Sequence, residues 1–300
     1  MSSNSTTRFS DRVEDYVKYR PHYPAAVLSY LQDTYSFSSQ WAVADVGSGT
    51  GISTELFLAN GNKVYAVEPN AEMRSKAEDL LSGYLGFFSL NGEAEATGVP
   101  PSAVDLIVAG QAFHWFDPVK TRPEFVRISR PGAIVALIWN ERLVLSDFEQ
   151  EYEAFILRHA GDYQTINHKN ITDLQIGEFF QPQSFLLQSF ANEQLFDFEG
   201  LKGRLLSSSY IPKGGPGFMK MIRELEKLFA RHRSGGKVRV GYETKVYTGV
   251  VRPAEDVAGA DRAPGVEVDR APGVEVDGAP GVEVDGADGA AGRGDEGAGG

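Results

Sequence analysis

A glycine-rich turn and two carboxylates carry the clearest chemical signal in this chain. The run Asp45-Val46-Gly47-Ser48-Gly49-Thr50-Gly51 follows an apolar stretch and precedes residues at helical spacing, which predicts a strand, a turn and a helix. Glu68 ends a second apolar stretch at residues 63–67. Glycines let a ligand approach the backbone where helix amides are unpaired, and a carboxylate after the next strand can accept both hydroxyls of a ribose. The unit predicts a site for a ligand that contains a nucleoside.

The spacing of the glycines discriminates between nucleoside ligands. A dinucleotide fingerprint has the pattern Gly-x-Gly-x-x-Gly, with a third glycine at the sixth position. Counted from Gly47, that position holds Ile52, so the third glycine is missing. Asp45 stands beside the turn, which carries no lysine, and an acidic residue there repels a pyrophosphate but suits an ammonium or a sulfonium. The residues therefore favour a cationic nucleoside. The alternative is a glycine-rich turn in another doubly wound protein.

The motif Asp-Val-Gly-Ser-Gly-Thr-Gly resembles that of the class I S-adenosylmethionine-dependent methyltransferases, in particular the small-molecule branch called methyltransferase type 11 and its trans-aconitate methyltransferases. The resemblance covers about residues 9–251. It implies an α/β fold with a doubly wound, mostly parallel, seven-stranded sheet and helical lid insertions. It also implies S-adenosyl-L-methionine as the cofactor and a small-molecule methyl acceptor, for which a carboxylate or hydroxyl oxygen is expected.

The resemblance also implies where the cofactor binds. In similar methyltransferases an acidic side chain at the position of Glu93 accepts from the adenine amine, and the amide at Ala94 meets a ring nitrogen. The alternative is that Glu93 and Glu95 are exposed charges, and we expect solvent around Glu95. The expected cofactor-binding residues are Asp45, Gly47, Ser48, Gly49, Gly51, Glu68, Pro69, Met73, Glu93, Ala94 and Gln111.

The loop at residues 110–117, GQAFHWFD, follows the fourth predicted strand and would lie beside the first one at the switch point of the sheet. It is therefore expected to face the methyl group. Phe113 and Trp115 are candidates for cation–π contact with a sulfonium or for the floor of the substrate pocket. His114 is the candidate catalytic residue, as an acceptor of the proton of the attacking atom. Packing between two aromatic residues is the alternative for His114.

The pattern Tyr-x-x-Tyr-Arg-Pro-x-Tyr-Pro at residues 16–24 resembles the segment that covers the cleft in this branch. Arg20 is a candidate partner for a carboxylate, or else a surface cap. Insertions after the fifth and sixth strands imply a lid, which we assign to residues 192–212. The expected substrate-binding residues are Tyr16, Arg20, Tyr23, Phe113, Trp115, Trp139 and Tyr210.

Apolar runs and breakers predict the bounds of the elements. The strands are predicted at residues 41–46, 63–67, 85–90, 104–109, 133–139, 184–190 and 245–251. Pro123 is expected to lie near the start of a helix, because proline interrupts a helix interior.

The composition excludes several classes of protein. The chain has no cysteine, so it has neither disulfides nor thiolate metal sites, and we predict no metal. A net charge of −12 gives no electrostatic footprint for nucleic acid. The sequence shows no signal peptide and no stretch of membrane-spanning length, so a cytoplasmic protein without a membrane partner is expected. The oligomeric state stays open.

Three segments are predicted along the chain. Residues 1–10 are polar and expected to be flexible. Residues 11–251 form the methyltransferase domain, with helical insertions at about 146–182 and 192–235. Residues 252–300 repeat Ala-Pro-Gly-Val-Glu-Val-Asp, contain no aromatic residue and are expected to be disordered.

Two other functions compete with methyl transfer. One is a nicotinamide-dependent oxidoreductase on a similar sheet, against which Ile52 and Asp45 both argue. The other is a methyltransferase-like binding module without catalysis. The intact turn, Glu68 and Glu93 argue against loss of the cofactor.

Overall fold

Strands and helices alternate along the first half of the part that the computed structural model describes, residues 13–160 and 172–251. The strands are β1 (Ala42–Val46), β2 (Lys63–Val67), β3 (Phe87–Leu90), β4 (Val104–Gly110), β5 (Ser129–Arg142), β6 (Phe185–Phe196) and β7 (Val238–Val250). The helices are α1 (Val13–Tyr19), α2 (Ala26–Tyr35), α3 (Ile52–Ala59), α4 (Ala71–Leu81), α5 (Pro118–Ile128), α6 (Asp147–His159), α7 (Asp173–Phe180), α8 (Phe198–Leu206) and α9 (Phe218–His232). A short 3-10 helix covers Phe113–Trp115.

The strands form one seven-stranded sheet in the order β3-β2-β1-β4-β5-β7-β6. The pairs from β3 to β5 are parallel, and β7 pairs antiparallel with both β5 and β6. The order reverses between β1 and β4, so the carboxyl ends of these two strands flank the crevice where such sheets bind ligands. The predicted fold class is confirmed.

Helices cover both faces of the sheet because the central strands are apolar on both sides. All five residues of β1 are buried, as expected for a parallel strand between two helical layers. The buried apolar side chains of the described residues fall into three clusters. Two of them pack on the sheet, and the third joins α6, α8 and α9 to the first residues of β7. Helices α6, α8 and α9 together are called the lid from here on, a wider unit than the predicted residues 192–212, and this third cluster is its core.

The structure corrects several predicted bounds. Strand β3 starts at Phe87, two residues later than predicted, and β5 continues to Arg142. Strand β6 continues to Phe196, so its end takes the first residues of the segment that we assigned to the lid. Strand β7 begins at Val238 instead of near residue 245. Strands β6 and β7 pair with each other over this whole length. Their pairing satisfies the hydrogen-bonding groups of the backbone, although the side chains there show no apolar pattern.

The prediction for Pro123 is wrong, because α5 begins five residues earlier and Pro123 lies inside it. The side chain of Asp117 caps the helix by accepting from the amides of Val119 and Lys120. Proline at position 123 removes the donor to the carbonyl of Val119, four residues back. Val119 is 81% exposed in the first turn, where water can satisfy that carbonyl.

One buried carboxylate anchors the lid to the sheet. Glu149 in α6 accepts from the amides of Leu145 and Ser146, and its other oxygen accepts from the amide of Gly241 in β7. Burial acts to raise the pKa of Glu149, but the hydrogen bonds from these amides outweigh it together. The pKa is therefore lowered. The first turn of α6 is therefore tied to the antiparallel side of the sheet.

Several sequence expectations fall outside the described residues. The polar N-terminal segment 1–10 and the repeat segment 252–300 belong to this group, so their predicted flexibility and disorder stay predictions. The bounds of the methyltransferase domain also stay a prediction. Within the described ranges, no helix combines the length and the apolar character that crossing a bilayer requires.

The N-terminal helix α1 docks on the lid at a glycine. A Cβ atom on Gly203, in α8, would lie 2.0 Å from Cε2 of Tyr19 at the end of α1. Only a residue without a side chain allows this approach. The contact brings the beginning of the domain against residues near position 200.

We expect Gly203→Ala to destabilise the protein by about 1–3 kcal/mol through overpacking, offset in part by the gain of about 1 kcal/mol for alanine in a helix. Gly177→Ala in α7 is the matched control, since its Cβ would meet its nearest atom at an ordinary 3.7 Å. Urea unfolding measures both free energies. Equal stabilities for the two variants would show that Tyr19 does not pack on Gly203.

Candidate functional site

The turn after β1 adopts a backbone that requires glycine. Gly47 has a φ of 72° and Gly51 a φ of 90°, both in the left-handed region that side chains disfavour. A Cβ on Gly47 would also lie 2.6 Å from Cβ of Ala112, in the loop after β4. The turn and the loop after β4 therefore approach each other at the switch point.

Four backbone amides of this turn donate hydrogen bonds within the protein. Gly47 and Ser48 donate to the carbonyl of Val67, and Gly51 donates to the carbonyl of Ser48. The amide of Gly49 donates to Oε2 of Glu68 at 2.9 Å. The turn is thus a rigid, closely packed wall and not a phosphate cradle of free amides.

Glu68 is buried at the carboxyl end of β2, with 7% of its surface exposed. Oε2 accepts from the amide of Gly49 and Oε1 accepts from the amide of Asn70 at 2.8 Å. A carboxylate has about four acceptor positions, so each oxygen keeps one for a further donor. Burial raises the pKa of Glu68, and the two amides oppose this rise. The side chain that we predicted for a ribose is held rigidly and keeps acceptor capacity.

Asp45 is fully buried at the end of β1. Its Oδ2 accepts from the hydroxyls of Ser53 at 2.7 Å and Thr54 at 2.6 Å, so one role of Asp45 is to fix the first turn of α3. Its Oδ1 has no hydrogen-bond partner within residues 13–160 and 172–251. Burial raises the pKa of Asp45 to about 6, since the charged form is poorly solvated there. An unpaired carboxylate oxygen favours a cationic donor beside it.

The predicted adenine segment follows β3. Glu93 is exposed and its backbone pairs with that of Ala96 in a bridge, while Ala94 is fully buried. Our expectation for Glu95 is wrong, because its Oε1 accepts from the amide of Asp117 at 3.0 Å and its Oε2 is buried. Glu95 therefore holds the start of α5, and only Glu93 presents its carboxylate at the surface.

Two further predicted cofactor contacts lie beside the turn. Met73 is buried in α4, and a Cβ on Gly49 would lie 3.7 Å from its Cε. Pro69 is partly exposed between Glu68 and the cap of α4. These positions form one continuous wall with the turn.

Gln111 begins the loop after β4 in a left-handed conformation, with a φ of 55°. Its amide donates to the carbonyl of Ile138, and its Nε2 donates to the carbonyl of Asn140 at 3.0 Å. Both bonds tie the loop to the end of β5. Gln111 therefore positions the loop, and its Oε1 is the atom left for a ligand.

Phe113 and Trp139 lie in the hydrophobic core, and each is 3% exposed. The rings of Phe113 and Phe179 pack edge to face with their centroids 4.8 Å apart. The centroids of the Trp139 and Tyr247 rings are 5.7 Å apart. Packing is the role that the structure gives these two side chains. Trp115 is partly exposed, so it is the aromatic residue of the loop that reaches the surface.

His114 is held neutral. Burial lowers the pKa of its imidazole to about 4, with a further contribution from the positive charge of Arg20. The ring lies 4.8 Å from that of Trp115, in a tilted arrangement. A histidine with this pKa is a weak base near neutral pH, so the environment favours the packing alternative over proton transfer.

The segment after α1 crosses the carboxyl ends of the central strands. The Nδ2 of Asn140 donates to the carbonyls of Pro21 and His22, both at 3.4 Å. A Cβ on Gly110 would lie 2.7 Å from the hydroxyl of Tyr23. Tyr23 therefore lies beside the carboxyl end of β4, and the segment crosses the crevice.

Arg20, Tyr16 and Tyr210 come together between α1 and the lid. The guanidinium of Arg20 lies 4.8 Å from the ring centroid of Tyr16, and its Nη2 donates to the carbonyl of Ser207 at 3.1 Å. The positive charge of Arg20 also acts on the phenol of Tyr210. The structure thus gathers these three predicted substrate residues on one wall.

Four side chains that no sequence pattern indicated complete this wall. They are Arg142, Tyr152, Arg204 and Tyr242, which are buried or nearly so in the described part of the chain. No spacing motif marks them, because they come from β5, α6, α8 and β7. The one local signal was the position of Arg142 just after a predicted strand end. No cluster of three or more histidine, aspartate or glutamate side chains in the described residues has an arrangement that could hold a metal.

Comparison with known proteins places the central segment in a family. Residues 44–137 match the methyltransferase domain family. An uncharacterized methyltransferase of Mycobacterium tuberculosis is 34% identical over 134 residues, which cover 45% of this chain and 52% of the relative. The chain thus spans about half the length of such curated relatives. An uncharacterized methyltransferase-like protein of Schizosaccharomyces pombe is 23% identical across 82% of this chain and 96% of its own length.

Solved structures share the fold. A candidate type II methyltransferase from Anaeromyxobacter dehalogenans has a TM-score of 0.58 at 22% identity, and the match covers 78% of this chain and 99% of that one. This match covers much more of the chain than residues 44–137. Residues 44–137 are thus similar to methyltransferase domains in sequence, and the seven-stranded sheet is similar to a solved methyltransferase structure in fold.

Proposed function

We propose that the protein transfers a methyl group from S-adenosylmethionine to an oxygen atom of a small-molecule acceptor. The observation that carries this proposal is the pair of buried carboxylates, Asp45 and Glu68, at the ends of the two strands beside the switch point. Each keeps acceptor capacity that the described protein does not use. A cationic nucleoside is the ligand class that needs both.

The donor set fits the cofactor. Glu68 would accept from the ribose hydroxyls through the lone pairs that the amides of Gly49 and Asn70 leave open. Oδ1 of Asp45 would accept from the ammonium group, directly or through water, and the resulting charge pairing would offset its burial. When bound, the cofactor supplies an electrophilic methyl group on a sulfonium.

The environment of His114 favours a carboxylate as the nucleophile. A phenol or an alcohol needs a base to take its proton, and a histidine with a pKa of about 4 serves that purpose poorly. A carboxylate is already ionised near neutral pH and needs no base. The chain then contributes alignment and exclusion of water, for which α1 and the lid close over the crevice.

Titration with S-adenosylhomocysteine tests the cofactor site. We expect micromolar binding to the wild type, no binding of NADH, and a loss of affinity of about tenfold or more in Glu68→Ala, since charge-assisted hydrogen bonds are lost. Glu226→Ala, an exposed position in α9, is the control. Thermal unfolding without ligand checks that each variant folds. Absence of S-adenosylhomocysteine binding in the folded wild type would overturn the proposal.

Acid unfolding tests whether the pKa of His114 is lowered in the folded protein. Its pKa is near 6.5 in the unfolded chain and about 4 in the folded one, so the unfolded state binds more protons between these values. Stability is thus lost as pH falls through this window. Between about pH 7.5 and about pH 5 we expect the free energy of unfolding of the wild type to fall by roughly 2 kcal/mol through His114. His114→Gln should not show this part of the loss.

Asp45 works in the opposite direction in this window, because its raised pKa of about 6 makes stability fall as pH rises. Asp45 is present in both proteins, so the difference between them isolates His114. Urea unfolding at about pH 7.5 and about pH 5 gives the free energies. The same loss of stability in both proteins would contradict a neutral, buried imidazole.

A further inference from the structure

The outer surface of the lid carries positive charge on an otherwise acidic chain. Residues 218–239 contain seven lysine and arginine residues against two glutamates, whereas the whole chain has a net charge of −12. Four exposed cations of α9 recur at intervals of three or four residues, and they are Lys220, Arg223, Lys227 and Arg231. This spacing places them on one face of the helix, over a length of about 16 Å. We call this face the basic stripe.

A groove runs beside the basic stripe, between α6 and α9. It has a volume of about 440 Å³, and Phe155 and Leu228 line it from the two helices. These side chains are 1% and 4% exposed, so they form an apolar floor below the surface. Ala154, which lines the groove from α6, is exposed and carries only a methyl group. None of the lining residues belongs to the proposed cofactor site or to the wall that contains Arg20.

Ion pairs near both ends hold the two helices around the groove. Glu224, in the first half of α9, accepts a hydrogen bond at 2.8 Å from Nε2 of His159 at the end of α6. Glu151, in the first half of α6, lies 3.0 Å from Nη1 of Arg231 and 3.2 Å from Nε2 of His232 at the end of α9. The helices are therefore antiparallel, and the groove between them is formed before any partner binds.

Cations remain after both carboxylates of the groove are paired. Arg158 on α6 and Lys227 on α9 line the groove, and neither has a carboxylate at ion-pair distance among residues 13–160 and 172–251. The hydrogen bond from His159 is the main reason that the pKa of Glu224 is lowered, and the charges of Lys220 and Arg158 add to this effect. The groove therefore favours negative charge on whatever binds it.

An apolar floor between cationic rims is complementary to an acidic amphipathic helix. Such a helix lays its apolar side chains into a groove, and carboxylates on its flanks pair with cations on the rims. Helix α6 has 13 residues and α9 has 15. At about 1.5 Å per residue, these lengths offer about 20 Å for packing, or about three to four turns of a partner helix.

Two other anionic partners fit this groove less well. A bilayer requires apolar side chains that protrude, but Phe155 and Leu228 are recessed. A nucleic-acid duplex carries phosphates at regular, close intervals, so it cannot avoid Glu151 and Glu224 in the groove. A peptide helix can place its carboxylates on its flanks alone. The combination of recessed apolar surface and flanking cations thus favours a peptide.

We propose that the groove between α6 and α9 is a docking surface for an acidic amphipathic helix of a partner protein. Apolar side chains of the partner contact Phe155 and Leu228, and its carboxylates pair with Arg158 and with Lys227 of the basic stripe. Docking at this surface is independent of methyl transfer, because no residue of the groove is assigned to the cofactor or to the acceptor. The lid then has a second role, which is to recruit a partner.

The test measures binding of labelled synthetic peptides to the full-length chain by fluorescence anisotropy. The probe is a peptide as long as α9, with leucine at every third or fourth position and glutamate on both flanks of this apolar face. The controls are the same peptide with lysine in place of glutamate and a scrambled peptide of the same composition. We expect the glutamate peptide to bind at micromolar concentrations and the lysine peptide not to bind. The scrambled peptide should bind at least about tenfold more weakly, because it has no separate apolar face.

Surface variants locate the binding. Arg158→Glu and Lys227→Glu should each weaken the glutamate peptide by about fivefold or more, since an attractive charge pair becomes a repulsive one. Lys120→Glu is the matched control, because it changes the net charge equally at a side chain of α5 that is 73% exposed. Ala154→Phe keeps every charge and fills the groove, so it should also weaken the peptide. All four variants should keep S-adenosylhomocysteine affinity within about twofold of the wild type, bound or not.

Several outcomes would overturn the docking surface. One is absence of binding between the glutamate peptide and the folded wild type, as judged by thermal unfolding. An equal loss in Lys120→Glu would assign the binding to net charge, and unchanged binding in folded Ala154→Phe would place it outside the groove. A mixed-sequence DNA duplex and vesicles of equal parts phosphatidylcholine and phosphatidylserine are measured in the same buffer. Tighter binding of either one, lost in Lys227→Glu, would overturn the choice of a peptide.

Discussion

Glu68 accepts two hydrogen bonds from backbone amides, and these bonds fix the geometry of the proposed cofactor side of the site. They connect the turn after β1 to the start of α4 through one buried carboxylate. Asn70, held by Glu68, then accepts from the amide of Met73 and caps α4. The group that braces the turn is thus the group that is proposed to hold the ribose. Rigidity here limits the reorganisation that ligand binding requires.

Local patterns were enough to predict the parallel half of the fold and the glycine turn. Spacing along the chain was enough to indicate Gly47, Gly51 and Glu68, because their roles depend on neighbours within one strand–helix–strand unit. The ends of β6 and β7 could not be read in this way. Their outer residues are polar and alternate weakly, and they become strand only through antiparallel pairing with each other. The position of Pro123 inside α5 was not predicted. The helix tolerates the proline because the carbonyl that loses its donor lies in an exposed turn, where water can satisfy it.

The wall that contains Arg20 and Arg204 was less predictable than the glycine turn. Arg204 lies in a short amphipathic helix, where an arginine ordinarily faces solvent. Its burial follows from the contacts of α8 with α1, β6 and β7, none of which leaves a trace in the sequence around it. Glu95 shows the same limit at smaller scale, since its partner is the amide of Asp117. Sequence spacing finds groups that act on their neighbours, and tertiary packing decides the rest.

The bond between Arg20 and Ser207 joins residues 187 positions apart in the chain. During synthesis the turn after β1 and its partners β2 and β4 leave the ribosome long before the lid exists. Arg20 therefore leaves the ribosome well before the carbonyl of Ser207 to which it donates. The wall that contains Arg20 is completed only after α8 has emerged and packed on α1. The two residues of this bond are thus made early and late in the synthesis of the described chain, and they can meet only after α8 exists.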